Sequence, residues 1–226
     1  MARPIIFDLD YCLCAGDEVG ATLYQPVFAS IRRANAGGLT EAALAEAFAA
    51  CMRFPFDVVA ERFRFSADMY RAGVRGFEAL EVTARMRGYP DLHVLRDLRA
   101  QCFLVTSGFP RLQQSKITAL GIRPVFDAIH VDSIADHPRR GKQAIFAEIV
   151  RRYALVASQV WVVGDNAESE IAAGNRLGMV TVQILRPGVE RCATAQHAVI
   201  DLVELKALME GLAESQSAPT DRKSRA

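Results

Sequence analysis

Apolar and polar positions change their spacing twice along this chain. Residues 4–9 form a short apolar run rich in Ile and Phe that ends in Asp8-Leu9-Asp10. A run this short, bounded by acids, reads as a buried strand that delivers carboxylates at its C-terminal end. From about Thr22 to Gly88 the apolar positions recur at helical spacing. Helices are predicted over 23–34, 40–52, 57–70 and 76–87, with breaks at 35–38 (Asn-Ala-Gly-Gly) and at Phe54-Pro55. Beyond Tyr89-Pro90 short apolar runs alternate with amphipathic stretches. Strands are predicted over 101–105, 128–131, 160–163, 180–185 and 197–200, and helices over 92–99, 111–120, 142–153, 169–177 and 202–212. Gly121 and Gly178 stand where two of those helices should stop.

Repeated strand-then-helix units predict an α/β fold, a three-layer Rossmann-like core with a parallel sheet. The helical stretch interrupts that core. Residues 1–16 and 89–213 are therefore assigned to an α/β core domain and 17–88 to an inserted all-helical cap domain. Residues 214–226, rich in Ser, Lys and Arg, are assigned to a disordered tail.

Composition narrows the function classes. The 226 residues are 51% hydrophobic and 23% charged, with a formal net charge of +1. No long-range field is available to attract nucleic acid or an anionic membrane. No uncharged run approaches a membrane span, and the N-terminus lacks the long apolar stretch of a signal peptide. A cytoplasmic protein, monomeric or homodimeric, is expected. Five cysteines without small-scaffold spacing fit a reducing compartment, and the Cys12/Cys14 pair has no second Cys/His pair at zinc-site spacing. Only four of the 27 basic residues are lysines, so a lysine in a plausible site is easy to single out.

In open parallel sheets functional groups gather beyond the carboxyl ends of the strands. Three such ends carry polar groups here: Asp8 and Asp10, then Thr106 and Ser107, then Asp165 and Asn166. Asp8 and Asp10 are two apart, so in extended chain they project to one side. Converging carboxylates repel unless a cation or a shared proton separates them. Lys142 opens the helix before the fourth strand, where a cation is electrostatically unfavourable, which hints at another purpose. Lys116, in the helix after the second strand, is the rival cation, and otherwise reads as a solvated helix residue. His93, His130, His137 and His197 do not cluster, and His130 reads as an interior or edge residue. Phe54, Phe56, Phe63, Phe65, Met69 and Tyr70 read as the core of the insert.

Residues 5–13 (Ile-Ile-Phe-Asp8-Leu-Asp10-Tyr-Cys-Leu) resemble the opening motif of the haloacid dehalogenase-like hydrolase superfamily. Leu104-Val-Thr106-Ser-Gly108 resembles its second motif, Lys142 within 140–146 its third, and 162–171 (Val-Val-Gly-Asp165-Asn-Ala-Glu168-Ser-Glu170-Ile) its fourth. The stretch 173–179 is similar to what commonly follows. The resemblance implies a Mg²⁺-dependent phosphatase acting on a small phosphorylated metabolite. It makes Asp8 the nucleophile, Asp10 the general acid and base, and Thr106 a donor to the phosphoryl group, with Ser107 and Gly108 beside the substrate; the bulk of Tyr11, a departure from the pattern, is expected to narrow the pocket or touch the substrate. Lys142 neutralises the paired charge. Asp8, the Asp10 carbonyl and Asp165 hold Mg²⁺, and Glu170 or Glu168 acts through water or orients Lys142. An acid at Asp10 favours ester cleavage over dehalogenation, because an alkoxide needs a proton and a halide does not. Tyr11, Cys12 and Glu170 depart from the common Gly or Asn, Thr and Asp at their positions. Transfer to an acceptor other than water, or a catalytically idle protein binding a phospho-ligand or another protein, are the alternative readings.

Overall fold

The structure, a computed structural model, describes residues 3–136 and 138–217, with side chains described up to residue 212. His137 and the end of the predicted tail, 218–226, lie outside the described residues. Six strands, β1 (Ile5–Phe7), β2 (Cys102–Gly108), β3 (Ala128–Ser133), β4 (Trp161–Gly164), β5 (Val180–Ile184) and β6 (His197–Val199), form one sheet in the order β3-β2-β1-β4-β5-β6. Every pairing is parallel. The chain builds outward from β1 to one side, then returns to the other side with β4. The crevice at β1 is thus the switch point where such sheets place ligands.

The two-residue period of the strands divides the core. Ile5, Phe7, Leu104, Trp161 and Val163 join one cluster with Ile117 of α5 (Pro110–Leu120) and Leu202 and Leu205 of α8 (Leu202–Ser217). Ile6, Phe103, Val105 and Val162 join the other, with Ile145, Phe146 and Ile149 of α6 (Gly141–Arg152) and Ala173 of α7 (Ala172–Arg176). Apolar side chains on both faces account for the near-continuous apolar runs in the sequence. Trp161 is 1% exposed. His130 lies on edge strand β3, half-buried, and burial lowers its proton affinity. Gly121 and Gly178 take left-handed backbone (φ 65° and 67°) at the helix ends they were expected to close.

Between β1 and β2 come α1 (Ala21–Ala34), α2 (Glu41–Ala50), α3 (Phe56–Arg62) and α4 (Ala67–Glu78). The first two follow the expected pattern, with Thr40 capping α2 by accepting from Ala43 N–H. The last two do not. The helix expected over 57–70 breaks at Phe63–Phe65, where Arg64 has φ 54°, and Ser66 caps a new helix by accepting from Met69 N–H. That helix ends at Glu78, so 79–87 is not helical as expected. The segment 92–99 forms a tighter 3₁₀ helix over Leu92–Asp97, and α8 continues through Ser217, past the point where the tail was expected to begin.

Phe56, Met69 and Phe77 are buried within the insert, whereas Phe54, expected in that core, is 39% exposed on the cleft. Gly73 makes the close packing possible, because a Cβ there would sit 2.1 Å from the Phe56 ring. The insert meets the α/β layer through Phe109, stacked on Phe77 with ring centroids 5.3 Å apart.

Candidate active site

Asp8, Asp10, Tyr11, Thr106, Ser107, Gly108, Lys142, Asp165 and Glu170, all singled out in the sequence, line one cleft of about 1130 Å³. The sheet explains why. Asp8 follows the last residue of β1, and its N–H donates to the Val163 carbonyl at 2.9 Å, which fixes it beside the end of β4 and hence beside Asp165. Thr106 comes from the neighbouring strand β2, and Lys142 from the first turn of α6.

Lys142 is buried and its Nζ donates to Asp8 Oδ1 at 2.6 Å and also to Glu170 Oε1. Burial alone would drive its proton off, but Asp8 and Glu170 more than offset this and hold the ammonium above its ordinary range. Burial pushes the Asp8 carboxyl well up, Glu170 adds to this, and Lys142 works against it. Asp165 is pushed up to about 7 by burial and then Glu170, with Arg53 opposing from 3.3 Å. Asp8, Asp165 and Glu170 each offer an oxygen within 4.8 Å of the others. Three carboxylates face two paired cations, Lys142 and Arg53, so the group is one positive charge short. All-oxygen donors with a charge deficit fit a small hard divalent cation. Glu170 is already occupied: Oε1 also accepts from Ser169, and Oε2 accepts from Asn166 N–H at 3.2 Å. Its geometry suits orienting Lys142 better than direct ligation.

Tyr11 stands in left-handed backbone (φ 56°) and donates its hydroxyl to the Met52 carbonyl of the insert at 2.8 Å. Its ring lies under the Arg53 guanidinium, 4.0 Å away, and needs Gly16 beneath it, since a Cβ there would come within 2.5 Å. The Ser107 hydroxyl donates to Asp132 Oδ2 at 3.0 Å. Cys12 is fully buried packing beneath the loop.

Two site residues, Arg53 and Gln113, escaped the sequence reading, and a third, Lys116, was weighed there only as the rival to Lys142. Arg53 sits in an insert loop, the kind of segment that carries function, but its neighbours gave no chemical pattern. Lys116 is not a solvated helix residue: it is 4% exposed and pairs with Asp10. Gln113, one helical turn earlier, donates to both Asp10 and Thr106. The scarcity of lysine was the available signal for Lys116.

The haloacid dehalogenase-like hydrolase model matches residues 3–178, well over half of the chain. The chain belongs to that family. Within it, the glyceraldehyde 3-phosphate phosphatase of Methanopyrus kandleri is 35% identical over 107 residues, covering 46% of this chain and 46% of the relative. The phosphatase of the same name from Methanocaldococcus jannaschii is 28% identical over 127 residues, 54% of this chain and 55% of its own. The chain thus spans about half the length of the curated relatives it matches. Among solved structures, a HAD phosphatase from Thermococcus onnurineus aligns with TM-score 0.61 and 23% identity, covering 92% of this chain and 98% of its own. The HAD-hydrolase YfnB from Bacillus subtilis, bound to magnesium, aligns with TM-score 0.60 and 16% identity over 92% and 98%. These likenesses show the family fold. No helix among the described residues is long and apolar enough to cross a membrane.

Proposed function

We propose that this family member is a phosphatase that hydrolyses small phosphate monoesters by way of an aspartyl-phosphate on Asp8. The observation that carries the reading is the buried Asp8 carboxylate, held by Lys142 at 2.6 Å and flanked by Asp165 and Glu170. A carboxylate so placed is a fixed nucleophile, and a divalent cation on the same acids would turn the local charge toward a dianionic partner.

In the first step an Asp8 oxygen attacks phosphorus, the bond to the ester oxygen breaks, and Asp10 gives its proton to the departing alkoxide. In the second, Asp10 takes a proton from water, the water oxygen bonds to phosphorus, and Asp8 leaves as a free carboxylate with inorganic phosphate. General acid and base work of this kind contributes about 10²–10⁴-fold. Thr106, assisted by backbone N–H groups of the turn that follows it, would donate to the phosphoryl oxygens, and Lys142 would offset their charge. Asp8, Asp165 and the Asp10 carbonyl would hold Mg²⁺, with Glu170 acting through water. When bound, the ion neutralises charge on the phosphoryl group and its nucleophile.

The helical segment 17–88 acts as a cap over the core of 1–16 and 89–213, excluding bulk water and selecting the leaving group. Tyr11 and Arg53, stacked on each other, line the cleft together. Glyceraldehyde 3-phosphate, in the name of both curated relatives, heads the panel of candidate substrates. The test is phosphate release from such a panel with Mg²⁺ and with chelator, for wild type and Asp8→Asn. Turnover should need Mg²⁺ and fall by at least about 10³-fold in the variant. Wild-type turnover in Asp8→Asn would reject the proposal.

A further inference from the structure

Within the cleft, Asp10 is gripped by two side chains of α5. Lys116 Nζ lies 3.0 and 3.1 Å from its two oxygens, and Gln113 Nε2 donates to Oδ2 at 3.0 Å. Cys14 Sγ stands 3.8 Å from Oδ1. Residues three apart on a helix share a face, so both donors descend from one rigid element.

We propose that Lys116 and Gln113 are positioning residues for Asp10, fixing the direction of its carboxylate toward the leaving group and tying it to Thr106. The proposal rests on the reading of Asp10 as the proton donor to that leaving group.

A lysine 4% exposed needs a partner, because an unpaired ammonium out of water is costly. The partner here is no buried structural acid but a cleft carboxylate whose side chain is 25% exposed. The lysine therefore holds both oxygens of a group that is still open to the cleft. Tyr24 of α1 lines the same cleft as Lys116 and Asp10, which places the pair where α1 meets the core.

Gln113 supplies the second link. Its amide nitrogen faces Asp10 Oδ2, the Ser107 carbonyl at 3.3 Å and Thr106 Oγ1 at 2.5 Å. The Ser107 carbonyl can only accept, so the NH₂ end is the one turned toward them. Thr106 Oγ1 is then an acceptor from Gln113, and its own hydrogen is left to point into the cleft at a phosphoryl oxygen. Gly108 permits the crossing, since a Cβ there would come within 2.9 Å of Gln113 Cγ. One amide thus orients the proton donor and the phosphoryl donor together.

The test compares phenyl phosphate with 4-nitrophenyl phosphate, two substrates of nearly the same shape whose leaving groups differ in their need for a proton. Lys116→Met should lower kcat/KM on phenyl phosphate by at least about tenfold more than on 4-nitrophenyl phosphate, and Lys116→Arg should recover part of the difference. Gln113→Leu, which removes no charge and keeps α5 intact, should show the same selectivity in kcat with little change in KM. Asp10→Asn sets the reference. Leaving-group dependence in Asp10→Asn, but equal losses on both substrates in Gln113→Leu and in folded Lys116→Met, would overturn the positioning role alone. Equal losses on both substrates in Asp10→Asn would overturn the acid assignment and the proposal with it.

Discussion

Arg186 is 5% exposed and makes the most demanding charge pair away from the cleft. Its Nη1 and Nη2 meet Asp91 Oδ1 and Oδ2 at 3.0 and 2.8 Å. Its Nε and Nη2 also donate to the Cys12 carbonyl at 3.0 and 2.9 Å, and its guanidinium lies 4.1 Å from the Tyr89 ring. Asp91 Oδ2 accepts from Leu202 N–H at 2.7 Å as well. One pair thus joins the loop after Asp10, the return from the insert, the segment after β5 and the start of α8. Arg186→Met leaves a buried carboxylate with one backbone donor, and breaking such a pair costs about 3–5 kcal/mol. For a chain of this size that lowers Tm by roughly 6–20 °C and the urea midpoint by about 1–2 M. Asp91→Leu in the Arg186→Met background should restore part of the loss, because no orphaned charge remains. The pH dependence has a defined sign. Burial pushes the Asp91 carboxyl up, but hydrogen bonds from Arg186 and from the Leu202 backbone outweigh that and hold it below its ordinary value. A depressed folded-state value gives stability that is present above the unfolded carboxylate range, about 3.9, and is lost as pH falls through the folded value. The gap between wild type and Arg186→Met, read by urea titration followed by circular dichroism, should be widest near neutrality and shrink as the pH falls, beginning above about 3.9 because burial without Arg186 raises Asp91 in the variant. A gap under about 1 kcal/mol at pH 7, or one that widens in acid, would refute this reasoning.

Gly16→Ala should drive the Tyr11 ring off its place and break its bond to Met52, costing about 1–3 kcal/mol in urea titration, more than Tyr11→Phe at about 1 kcal/mol; equal costs would count against the close contact. Asp57→Ala removes the 2.7 Å bridge from the insert to Arg139, which keeps Asp132. Global stability should move by about 1 kcal/mol or less, while amide exchange in Phe56–Arg62 speeds up; unchanged exchange there would show that the bridge does not hold the insert. Mg²⁺ at about 100 times its dissociation constant should stabilise the protein by about 2.7 kcal/mol, seen as a rise in Tm that chelator reverses, and Asp165→Asn should weaken that rise. No rise in wild type would argue against the charge deficit drawn from Asp8, Asp165 and Glu170.

The sheet was legible because the apolar runs are two-faced: Ile5, Ile6 and Phe7 fall alternately into the two halves of the core. The strand-end acids were legible for the same reason, since their positions follow from where the runs stop. The insert was less so. Ser66 at the head of α4 is a capping residue, but the apolar spacing continues across it, so periodicity alone predicts one unbroken helix. The segment 79–87 keeps enough apolar residues to look helical, yet Met86 is buried by packing against the α/β core, not by a helix face of its own. The pairings of Lys116 and Arg53 were hidden because their partners, Asp10 and Asp165, lie 106 and 112 positions away, and only the folded chain brings them together.

The central claim is that Asp8 takes the phosphoryl group itself. Acid quenching during turnover, followed by digestion and mass spectrometry, reads this directly. The peptide containing Asp8 should gain one phosphoryl group in the presence of substrate and Mg²⁺, and the Asp8→Asn protein should gain none. A phosphoryl group found on another residue, or unimpaired turnover in Asp8→Asn with no labelled peptide, would contradict the account.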